Sequence, residues 1–130
     1  MESVMLSLLL WLNAHGFATC AGQPEVRRVP DSQTHEYMAW YQDGTVRLST
    51  RFDYDGLFVE NSQQRGKLAR SALLHELAHH CQAQRDGPIN PLSERAWLAR
   101  ENEAYALQTV YLREHGSATV LVWHRGHEDE

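Results

Sequence analysis

The tripeptide Asp86-Gly87-Pro88 divides the second half of the chain into two helix-length stretches, and no other feature constrains the fold as much. Proline has no amide proton for a helix interior, and its ring collides with the preceding turn. Glycine readily takes the left-handed conformation that closes a helix. Before the break, Asn61-Ser62 offers an N-cap and a helical stretch runs to about Arg85. Leu68, Ala69, Ala72, Leu73, Leu77 and Ala78 supply its apolar positions. After the break, Ser93-Glu94 can start a second helix that runs to about His115, where Gly116 stops it. No Pro or Gly lies inside that second stretch.

The first half carries the strand signals. Asp43-Gly44 lies between a run rich in aromatics (Tyr37, Trp40, Tyr41) and the β-prone run Thr45 to Ser49, which is the strongest hairpin signal in the chain. Val46 and Leu48 share one face of the second run, and Thr45, Arg47 and Ser49 share the other. Glu25 to Val29 alternates loosely and reads as a short strand, while Arg51 to Glu60 reads as a loop. The expected fold is α+β: a small antiparallel sheet packed on two long helices, with an N-terminal helix behind. The 130 residues suit a single domain. Ala118 to Trp123 is apolar and fits a strand or a helical turn equally well, and Arg125 to Glu130 reads as a polar tail.

The N-terminus has two readings. Met1 to Leu12 contains an apolar run too short to span a bilayer. Val4, Met5, Leu8, Leu9, Trp11 and Leu12 form a stripe at helical spacing, which suits a retained, packed helix ended by Gly16. The alternative is a signal peptide over residues 1–21, with Ala18, Cys20 and Ala21 near its cleavage zone. Glu2 and the lack of Lys or Arg before the run speak against the signal. A retained helix implies a cytoplasmic protein; a cleaved one implies a secreted or periplasmic protein. The composition (42% hydrophobic, 22% charged) excludes a disordered chain and a multi-span membrane protein. A formal net charge of −5 with no basic block argues against nucleic-acid binding.

Chemistry concentrates in the first long helix, at Leu73-Leu74-His75-Glu76-Leu77-Ala78-His79. This is HExxH, with the two imidazoles one turn apart on one face, so that they can share a metal ion. Zinc suits such a pair because it accepts imidazole nitrogen and carboxylate oxygen. Glu76 lies about 100° around the helix. There it can act as general base toward a water that the metal activates, and then pass the proton to a leaving amine. The bland alternative is a solvated helix face whose polar residues happen to match. The apolar neighbours Leu73, Leu74 and Cys81 weigh against it, because burying two His and a Glu needs compensation.

A catalytic zinc site needs a third protein ligand. On the second helix Glu101 and Ala104 are three apart and share a face, and a small residue there permits close helix approach. HExxH followed by Glu101-x-x-Ala104 resembles the gluzincin metalloproteases, and the small size resembles the minigluzincins and related single HExxH domains. The matched parts are Leu73 to His79 and Glu101 to Tyr105, with a weaker likeness from the hairpin to about Leu112. The resemblance implies His75, His79 and Glu101 as zinc ligands and Glu76 as the catalytic base. It also implies an edge strand in the hairpin that pairs with an extended peptide substrate.

Glu103 is the rival third ligand. It lies about 200° around the helix from Glu101, so one metal cannot take both. Tyr105 departs from the family pattern, which places Asp or Asn there in several families. It could donate its hydroxyl to an oxyanion or simply pack between helices.

Of the eight His, His80 reads as a packed or hydrogen-bonded residue, and His35 as a surface residue near the hairpin. His15, His115, His124 and His127 read as solvated. Cys81 reads as a buried thiol, and Cys20 has no interpretable context. Two cysteines allow at most one bridge. The function expected from these residues is a zinc-dependent metallopeptidase acting on a peptide or protein. The alternative is a non-catalytic, metal-binding regulatory module on the same fold.

Overall fold

The structure is a computed structural model and describes residues 2–30, 32, 39–50, 64–87 and 93–115. In chain order it contains α1 (Glu2–Ala14), β1 (Glu25–Val29), β2 (Ala39–Gln42), β3 (Thr45–Ser49), α2 (Gln64–Asp86) and α3 (Glu94–Glu114). The fold is α+β, as the patterning predicts. The expected cap at Asn61-Ser62, His35, the loop Arg51 to Glu60, the segment Ala118 to Trp123 and the tail with His124 and His127 lie outside the described residues.

The helix boundaries follow local chemistry. At the end of α2 the Gly87 N–H donates to Ala83 O (3.0 Å), and Gly87 sits at φ +94°, where a side chain would be strained. Ser93 caps α3, its Oγ accepting from the Ala96 N–H at 3.1 Å. Helices α2 and α3 run antiparallel: Gln82 meets Arg100, while His75 meets Gln108. Ala104 is fully buried at this contact, where its single methyl lets the two backbones approach. On α1, Met5, Leu8, Leu9 and Leu12 are buried at helical spacing in the same cluster as Leu73, Leu74 and Leu77 of α2. No described helix is long and apolar enough to cross a membrane.

Strands β2 and β3 form the expected hairpin. Asp43 (φ 51°) and Gly44 (φ 79°) both lie in the left-handed region, as a two-residue turn matched to strand twist requires. Val46 and Leu48 point into the core. The sheet is mixed rather than antiparallel, with strand order β1-β3-β2 and β1 parallel to β3. Strand β1 does not pair with β2. Instead β1 takes the far side of the hairpin, anchored by Glu25 N–H to Gly44 O (3.1 Å) and Thr50 N–H to Val29 O (2.9 Å). Among the described residues β3 is therefore central and β2 is an edge.

Cys81 is not a free thiol. It is bonded to Cys20, 61 residues away, and this ties the segment after α1 to α2. The same segment is held by Gln84, whose amide pairs with both backbone groups of Ala21 (3.0 and 2.7 Å). His15 is also not merely solvated. Its ring stacks on Trp11 (centroids 3.7 Å) and meets Glu114 Oε2 at 3.2 Å, while the Trp11 indole N–H donates to Glu114 Oε1 at 2.8 Å. The carboxyl end of α1 is thereby fastened to that of α3. His115 is exposed and donates from Nδ1 to Tyr111 O (2.8 Å).

Closing a loop of this length restricts the unfolded chain by about 4 kcal/mol. Replacing both cysteines by alanine (Cys20→Ala with Cys81→Ala) is therefore expected to lower the denaturation midpoint markedly. Chemical denaturation measures this, and an unchanged midpoint would show that the bridge contributes nothing.

A candidate metal centre between two helices

His75 and His79 lie one turn apart on the face of α2 that meets α3, and Glu101 faces them from α3. All three are buried. Their ligand atoms converge: His75 Nε2 is 3.2 Å from His79 Nε2 and 3.3 Å from Glu101 Oε1, and His79 Nε2 is 2.5 Å from Glu101 Oε1. The group could hold a metal ion. Glu103 does not reach it. Its carboxylate is turned to Arg85, at 2.9 Å from both terminal guanidinium nitrogens.

Two residues that carry no sequence motif determine what this cluster can do. The Nδ1 of His75 contacts Gln108 Oε1, and the Nδ1 of His79 contacts Gln82 Oε1, each at 2.8 Å. An amide oxygen only accepts, so each Nδ1 must carry the proton. A neutral ring then presents its lone pair at Nε2. Two such lone pairs and a carboxylate oxygen meet at one point, and that arrangement demands a cation, either a proton or a metal ion.

The charges follow from this geometry. Burial opposes ionisation of Glu101, but the His75 and His79 imidazoles at its oxygen, which donate to it from Nε2 when protonated, overcome burial and bring the carboxyl down to about 2. Burial also opposes charging of His79, yet the bond to Glu101 and the fields of Glu76 and Glu101 leave its pKa raised. Protonated His79 and ionised Glu101 thus form a buried ion pair.

Glu76 is half-buried beside the cluster and does not join it. Its Oε1 accepts from the Tyr41 N–H of β2 at 2.9 Å. Burial pushes its carboxyl above the usual range, partly offset by His75 and His79. A carboxyl so placed can take up and hold a proton more readily than an exposed one. Tyr105 packs its ring against His75 (centroids 4.4 Å). His80 faces away: Nδ1 meets the Tyr41 hydroxyl and Nε2 meets Gly22 O, each at 3.1 Å. It is hydrogen-bonded, as its position predicts, and burial lowers its pKa.

No family model matches the chain, and comparison with the curated proteins and the solved structures returns no match either.

Proposed function

We propose that the chain is a zinc-dependent metallopeptidase whose ligands are His75, His79 and Glu101 and whose general base is Glu76. The observation that carries this reading is the convergence of two Nε2 lone pairs and one carboxylate oxygen, with both Nδ1 atoms tied to amide oxygens. Zinc–nitrogen bonds of about 2.0–2.1 Å place tetrahedral ligand atoms about 3.3–3.4 Å apart. The contacts of 3.2 and 3.3 Å already fit that spacing. The His79–Glu101 contact is shorter and would have to lengthen to admit a metal ion in place of the His79 proton. Two neutral imidazoles and one carboxylate form a ligand set that suits zinc and leaves room for a fourth ligand. The likeness to gluzincins supports the reading through His75, Glu76, His79 and Glu101 alone.

A bound zinc would polarise a substrate carbonyl and make a nearby water more acidic. The protein's own part is proton handling. Glu76 takes the water's proton, and its raised pKa lets it keep that proton until the leaving amine accepts it. An extended peptide beside β2 is the substrate class that suits an edge strand.

A second reading has an observation of its own. The bond from Tyr41 N–H to Glu76 fastens the edge strand to α2, and this occupies part of that edge. It favours a non-catalytic module in which Glu76 is a strut.

Metal analysis of the native chain beside His79→Ala tests the shared premise. One zinc per chain is expected in the parent and none in the variant. Equal zinc in both would refute the ligand assignment.

A further inference from the structure

Gln82 holds more than one partner. Its Nε2 donates to Arg100 O at 3.0 Å and to Glu103 Oε1 at 2.8 Å. Both of these atoms only accept, so the amide has one permitted orientation, with the NH2 toward α3 and the oxygen toward His79. Glu103 is fixed in turn by Arg85 through two bonds of 2.9 Å, and Arg85 also grips Asp86 (2.6 Å). Fully buried Gln82 is thus the inner end of a chain that reaches solvent at Arg85 and Glu103, whose side chains are 40% and 36% exposed.

His75 has a different support. Gln108 accepts at its oxygen from His75 Nδ1 and donates from Nε2 to Ser71 Oγ (3.1 Å).

We propose that Glu103 and Arg85 are positioning residues for the metal centre: acting through Gln82, they set the ring orientation and proton position of His79. The inference rests on the metal reading above. It gives the rival ligand Glu103 a role without contact to the metal. Outer partners of this kind orient ligand rings and typically change metal affinity by roughly 10–100-fold. A simple salt bridge clamping α2 to α3 would change stability instead and leave affinity alone.

A double-mutant cycle separates these roles. Zinc affinity is measured by competition with a chelating dye for the parent, Gln82→Leu, Glu103→Ala and the double variant, with thermal melts in parallel. Gln82→Leu is expected to weaken zinc roughly tenfold or more. Glu103→Ala is expected to weaken it severalfold in the parent and not at all in the Gln82→Leu background. An effect of Glu103→Ala that is equal in both backgrounds, or within twofold of nothing in the parent, overturns the inference while the metal reading stands. A parent chain that takes up no zinc overturns the metal reading and this inference with it. Arg85→Ala supplies a second route to the same coupling should Glu103→Ala fail to fold.

Discussion

Glu76→Gln is expected to retain zinc and to lose peptide hydrolysis by about 10²–10⁴-fold, the usual contribution of a positioned acid–base group. The substitution suits the question because it changes little else. A glutamine oxygen can still accept from the Tyr41 N–H, so the link between β2 and α2 survives. The ligand atoms of His75, His79 and Glu101 are untouched. What disappears is the ability to take a proton, and with it the charge next to His79. Rate and zinc content, measured on the same preparation, separate the two functional readings. A parent that hydrolyses peptides and a variant that does not assign Glu76 to the chemistry. A variant as active as its parent removes Glu76 from the mechanism. A parent with zinc and no activity toward any peptide tried moves Glu76 to the strut role.

The parts of the site that were legible in the sequence are those set by spacing on one helix. His75 and His79 share a face because they are four apart, and no long-range information is needed to place them together. Spacing alone does not select Glu101; its choice over Glu103 rests on the resemblance of Glu101-x-x-Ala104 to a metalloprotease pattern. Gln82 and Gln108 carry a weaker signal. Gln82 lies three residues beyond His79 on the same face, and Gln108 lies seven beyond Glu101. Glutamine is common on solvated helices, so only the fold shows that these two are buried. The sheet order was out of reach for a different reason. The Asp43-Gly44 turn fixes β2 against β3 locally, but nothing local says which side of the hairpin β1 joins. The bridge between Cys20 and Cys81 spans 61 residues and likewise has no local signature. His15 looked solvated because it sits at a helix end, and the residue that pairs with it, Glu114, is 99 positions away.

Glu101→Gln should abolish tight zinc binding, with a loss beyond the roughly hundredfold ceiling of outer-shell changes. The amide removes the one anionic ligand and leaves two neutral imidazoles to hold a divalent ion. The pH dependence carries a second signature. In the metal-free parent the His79 pKa is raised, chiefly through Glu101, against the opposing effect of burial. The proton on His79 competes with zinc, so affinity is expected to rise with pH until that raised pKa is passed. Glu101 at about 2 stays ionised throughout this window and contributes no step. Stability of the metal-free fold runs the other way. A raised histidine pKa stabilises the fold below its unfolded value near 6.5. That stabilisation is lost as pH rises through the folded value. The contribution of Glu101 is present above its ordinary 4.5 and is lost as pH falls toward 2. In Glu101→Gln both groups of effects should vanish: burial then dominates at His79, and the step in residual zinc affinity moves to lower pH. Zinc titrations at several pH values, set beside melts of the metal-free chain, measure the two curves independently. An affinity step that stays at the same pH after Glu101→Gln would show that the carboxylate does not set the state of His79.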